Sequence, residues 1–166
     1  IADDTVIAIV PDHYPYGLKP GAVWGYEDHV AELYGYKADT NQKRDHNAAI
    51  IWCGSLEERE EPIVVSSPTF SLDILPTLSN LFGLEYDSRL LSGRDVLSDA
   101  EPLVFWNDHS WLTDKGYFDY ESKTFFPSEG FEADEEYVEN MRNVVKDKLT
   151  YASVSTTVDY FSILFG

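Results

Sequence analysis

Cysteine is nearly absent from this 166-residue chain. The single Cys53 excludes an internal disulfide framework and any cysteine-rich zinc site. It follows the apolar run AAIIW and reads as a buried thiol. Long hydrophobic runs are missing as well, and none approaches the roughly 18 residues needed to span a bilayer. Basic residues are scarce: 12 Lys and Arg stand against 30 Asp and Glu, for a net charge of −18. Nucleic acid and anionic lipid are bound by neutralising phosphates with cations, so such a chain repels both. No G-x-S-x-G elbow, Gly-rich phosphate loop or C-x-x-C pair occurs. No signal peptide is visible and the first residue is Ile rather than Met, which leads to the expectation of a processed chain or an excised piece.

What is present is the composition of a folded domain, 43% hydrophobic and 25% charged. Residues 5–10, TVIAIV, are apolar on both faces and predict a buried central strand of a parallel sheet. Pro15, Gly17, Pro20 and Gly21 mark a loop, followed by a short helix over about 26–34. AAIIWC at 48–53 and PIVVSS at 62–67 predict two further strands. Asp73 fits an N-cap for a helix with Leu75, Leu78, Leu81 and Phe82 on its apolar face and Gly83 past its end. Residues 102–107 predict a strand, and 112–126 a hairpin that is aromatic on one face. A long helix follows over about 135–153, striped by Tyr137, Val138, Met141, Val144, Val145, Leu149 and Ala152. The apolar tail VDYFSILF is expected to dock back on the body. Strands alternating with helices predict an α/β fold with a parallel sheet.

All four histidines follow an aspartate: Asp12-His13, Asp28-His29, Asp45-His46 and Asp108-His109. In open parallel sheets ligands bind beyond the carboxyl ends of strands. Asp12-His13 falls at such an end, where the backbone can aim two side chains at one point. Carboxylate oxygen and imidazole nitrogen both suit Zn²⁺ or Mn²⁺, and an Asp that caps its own turn is the competing reading. Asp28-His29 reads as a helix face or as a loop pair leaning over the site. Asp45-His46 precedes a strand, the wrong end for a ligand, and NDHSW reads as a turn opening the hairpin. Two ligands alone do not complete a metal site.

The stretch DDTVIAIVPDHYPYG resembles the metal-binding strand of the alkaline phosphatase/sulfatase superfamily, which ends in Asp-His or Asp-Asn. SLDILPTLSNLFGLEYDSRLLSGRDVLSD resembles that family's D-I-x-P-T-L helix and the Gly-Arg-Asp loop after it. The nearest branch by these motifs is the lipoteichoic acid synthase-like phosphoglycerol transferases.

The resemblance implies an α/β fold, the C-terminal part of a sulfatase-like parallel-sheet sandwich with a C-terminal hairpin and long helix. Residues 1–166 would form one domain fragment, with 1–110 in the core and 111–166 as a hairpin and helix subdomain. It implies Asp12 and His13 as ligands of a divalent metal, Mn²⁺ first, with Mg²⁺, Zn²⁺ or Ca²⁺ as alternatives. His29 is a candidate substrate-facing residue. The nucleophilic Thr or Ser, a further acidic ligand and a membrane anchor would lie in an upstream part of the polypeptide, so the chain alone is expected to be inactive.

The implied reaction passes a phosphoglycerol group from a phosphatidylglycerol-like or other anionic ester substrate through a covalent Thr intermediate. The implied setting is the extracytoplasmic domain of a bacterial membrane protein. A sulfatase or phosphatase of the same fold is the alternative enzyme. A non-catalytic module binding a glycan or partner through the aromatic hairpin (Trp111, Tyr117, Phe118, Tyr120, Phe125, Phe126) is the alternative class. Apolar surface left exposed in a truncated chain would favour self-association.

Overall fold

The computed structural model describes residues 5–18, 28–56 and 59–166. The fold is mixed α/β and divides into two compact units, residues 1–64 and 65–166. The hairpin and long helix therefore share a unit with residues 65–110, whereas the sequence suggested a division near residue 110.

In the first unit, β1 (Val6–Ile9) pairs antiparallel with β2 (Ile50–Cys53), in the register Val6↔Cys53 to Ile9↔Ile50. Helix α1 (His29–Tyr34) is capped by Asp28, whose carboxylate accepts the Ala31 N–H, and ends at Gly35 in the left-handed region. Helix α2 (Asn41–Arg44) is capped by the Thr40 side chain. The Tyr34 hydroxyl donates to the Arg44 carbonyl and that of Tyr36 to the Lys43 carbonyl, both at 3.1 Å, so the end of α1 is tied to α2. Val30 and Cys53 are the buried apolar residues among those described here.

Three expectations change. Strand β1 is exposed at all four positions, and its ladder is antiparallel. Every strand pair among the described residues is antiparallel, so the parallel sheet is not found there. An apolar run specifies a surface that gains by being covered, but neither the direction of its neighbour nor what covers it. Residues 62–67 form no strand. Ile63 and Val64 are exposed there, and Pro62 has no N–H to offer a ladder.

The second unit opens with a 3₁₀ turn, Ser71–Asp73, leading into α3 (Ile74–Leu81). Strands β3 (Val104–Phe105), β4 (Trp111–Thr113), β5 (Gly116–Asp119) and β6 (Thr124–Pro127) form a four-stranded antiparallel sheet in chain order. The register pairs Phe105 with Trp111, Trp111 with Phe118, and Phe118 with Phe125, so one aromatic from each strand lines up across one face. Helix α4 (Glu135–Ser155) lies on that face, placing Tyr137, Val138, Met141, Val145 and Leu149 against the rings. These positions recur every three to four residues, which keeps them on one side of the helix. Trp111 and Phe118 stack with centroids 5.6 Å apart, and Trp111 and Val145 are fully buried.

The helix starts where Asp134 accepts the Tyr137 N–H at 2.7 Å. The Tyr137 hydroxyl meets Thr113 Oγ1 at 2.9 Å, so the buried threonine keeps a hydrogen-bond partner. A final helix, α5 (Tyr160–Phe165), follows α4. No helix among the described residues is long and apolar enough to cross a membrane.

The apolar face read for α3 is also revised. Pro76, Thr77 and Ser79 are the buried residues of the helix, while Leu75 and Phe82 are exposed. Polar anchoring sets this orientation. Thr77 Oγ1 donates to the Asp73 carbonyl at 2.6 Å and accepts the Val96 N–H at 3.0 Å, which turns that side of the helix inward.

Candidate functional site

Asp12 and His13 lie just past β1, after Val10 and Pro11. The His13 N–H donates to Asp12 Oδ1 at 2.8 Å, folding the carboxylate back over the next residue. This brings Asp12 Oδ2 to 3.4 Å from His13 Nε2. The other ring nitrogen, Nδ1, is 2.8 Å from the Tyr14 carbonyl oxygen. A carbonyl can only accept, so this bond requires the proton on Nδ1.

Asp12 Oδ2 and His13 Nε2 at 3.4 Å form an ion pair when the ring is protonated. That spacing matches two neighbouring ligands of one metal, given metal–ligand bonds of about 2.1 Å. A backbone carbonyl on the other ring nitrogen is a usual outer partner of a metal-binding histidine. Both side chains are open to solvent, His13 at 52% and Asp12 at 85%.

Aromatic packing supports the turn. The His13 ring lies 4.7 Å from Tyr16, Tyr14 meets Tyr16 edge-on, and the Arg44 guanidinium sits over Tyr14 at 4.6 Å. Two potential ligand side chains are thus adjacent at this turn. No group of three or more His, Cys, Asp or Glu that could hold an ion occurs among the described residues.

His29 opens α1, with Nδ1 3.3 Å from Glu32 Oε2. Together with Leu18, Glu32 and Leu33 it lines a shallow hollow of about 470 Å³. In the other two pairs the aspartate holds local structure. Asp45 holds Arg44 through two oxygens at 2.8 and 2.9 Å, at the end of α2. Asp108 accepts the Ser110 N–H at 2.9 Å, and His109 adopts a φ of 69° in the turn between β3 and β4. The turn reading of NDHSW is what the structure has.

The aromatic hairpin belongs mainly to the core. Trp111, Tyr117 and Phe118 are buried, leaving Tyr120 and Phe126 as its exposed rings.

Sequence reasoning missed a polar cluster around Asp73. One Asp73 oxygen accepts the Phe70 N–H and the other the Arg94 N–H, each at 2.8 Å. The Arg94 side chain reaches Ser67 Oγ and the Pro68 carbonyl. Lys148 Nζ, from α4, donates to the Ser92 carbonyl at 2.8 Å. Its half-burial lowers the ammonium pKa, with nearby Asp73 acting in the opposite direction. Gly93 was the available signal. A Cβ there would collide with the Leu72 carbonyl, so the loop must approach closely.

No family model, no curated protein and no solved structure matches this chain.

Proposed function

We propose that the chain is the C-terminal portion of a metal-dependent phosphoglycerol transferase of the alkaline phosphatase/sulfatase superfamily. Asp12 and His13 would hold the divalent cation, Mn²⁺ first. The observation that supports this is the approach of His13 Nε2 to Asp12 Oδ2 at 3.4 Å, with Nδ1 committed to Tyr14. In this reading β1, paired antiparallel with β2, would lie in a larger sheet whose faces are covered by helices, which is the cover its exposed apolar positions call for.

A bound divalent cation would activate a nucleophile and offset charge on a transferred phosphoryl group. Asp12 contributes negative charge to that site, and His13 contributes a neutral nitrogen whose orientation the Tyr14 carbonyl fixes. His29 is proposed to face the substrate, an anionic ester such as a phosphatidylglycerol head group. The nucleophile and remaining ligands belong to another part of the polypeptide, in an extracytoplasmic setting. A sulfatase or phosphatase would use the same two ligands.

The test is an amide NMR titration with Mn²⁺. Selective broadening around residues 10–16, abolished by H13A and by D12N, is the expected result. Broadening spread evenly over the acidic surface would sink the proposal. Metal-dependent turnover of a phosphodiester by this chain alone would show that the nucleophile lies within it.

A further inference from the structure

We draw no further inference here: the strongest candidate, the open cleft of about 590 Å³ between β6 and the first turns of α4, is lined by the cations Lys123 and Arg142 together with the carboxylates Asp134, Glu135 and Glu139, so its charge selects no one class of ligand, and nothing in the structure shows what covers it.

Discussion

Asp73 and Arg94 are joined by a hydrogen bond from the Arg94 N–H to the buried Asp73 carboxylate at 2.8 Å. They lie 21 residues apart, on the turn before α3 and in the loop beyond it. The second carboxylate oxygen accepts the Phe70 N–H, so one side chain satisfies two backbone donors. D73A leaves both without that acceptor, at a cost of about 2–4 kcal/mol. D73N keeps the shape but sets an amide N–H against a backbone N–H, and should fall between D73A and the parent. Urea unfolding followed by near-UV circular dichroism measures both. Equal stability of D73A and the parent would show that water replaces the carboxylate there.

Gly93 gives a test of close approach. G93A drives a Cβ into the Leu72 carbonyl and should destabilise by about 2 kcal/mol or more. G17A is the comparison, because a Cβ at Gly17 meets nothing within 4 Å. There the lost freedom of the unfolded chain should leave stability unchanged or raise it by up to about 1 kcal/mol. A similar shift in melting temperature for the two variants would contradict this contrast.

Lys148 predicts a pH dependence. Burial lowers its pKa below the model-compound 10.5, so the unfolded chain holds this proton more tightly than the folded one. Its stability contribution is therefore fully present above 10.5 and is lost as pH falls through the lower folded-state value. Between those two limits the parent should gain stability with rising pH relative to K148M, which has no such proton. Urea midpoints of the two proteins, compared at intervals from pH 8 to 10.5, measure the difference. Parallel curves would show that the ammonium titrates alike in both states.

Asp87 titrates at the opposite end of the scale. Hydrogen bonds from the Arg89 side chain, then its backbone N–H, lower the Asp87 pKa from 3.8 to about 2. In R89A the carboxyl should titrate closer to 3.8 by NMR, because the side-chain donor is removed. The sign follows: whatever stability this pair contributes is present above pH 3.8 and disappears as pH falls through about 2. A titration unchanged in R89A would assign the shift to the backbone donor alone.

The parts legible in the sequence were those set by local pattern. The apolar stripe predicted α4, and Tyr137, Val138, Met141, Val145 and Leu149 of it face the core, whereas Val144 and Ala152, read into the same stripe, are exposed. The turn at Asp108-His109 was readable from residue type alone. Asp73 stands at the N-cap position of α3 but does not cap it with its side chain, because the carboxylate is taken by the Phe70 and Arg94 N–H groups. What failed depends on distant partners. The run Val6–Ile9 carries no record of which way its neighbour runs. The inward side of α3 is chosen by Thr77 and by Val96, nineteen residues away, against the leucine pattern. The tail was expected to dock on the body, but beyond the Tyr160 contact α5 keeps most of its apolar side chains exposed. At the candidate metal site, the Asp-His dipeptide was visible. The Tyr14 carbonyl that holds the His13 ring through Nδ1 was not, because a backbone acceptor leaves no trace in residue identity.

The row of aromatics from Phe105 to Phe125 has a kinetic consequence. All four rings lie within 21 consecutive residues, so closing the sheet requires only short loops. Low sequence separation makes such contacts fast to form. The sheet can therefore assemble before α4 has been synthesised, presenting a ready surface on which the helix condenses as it emerges.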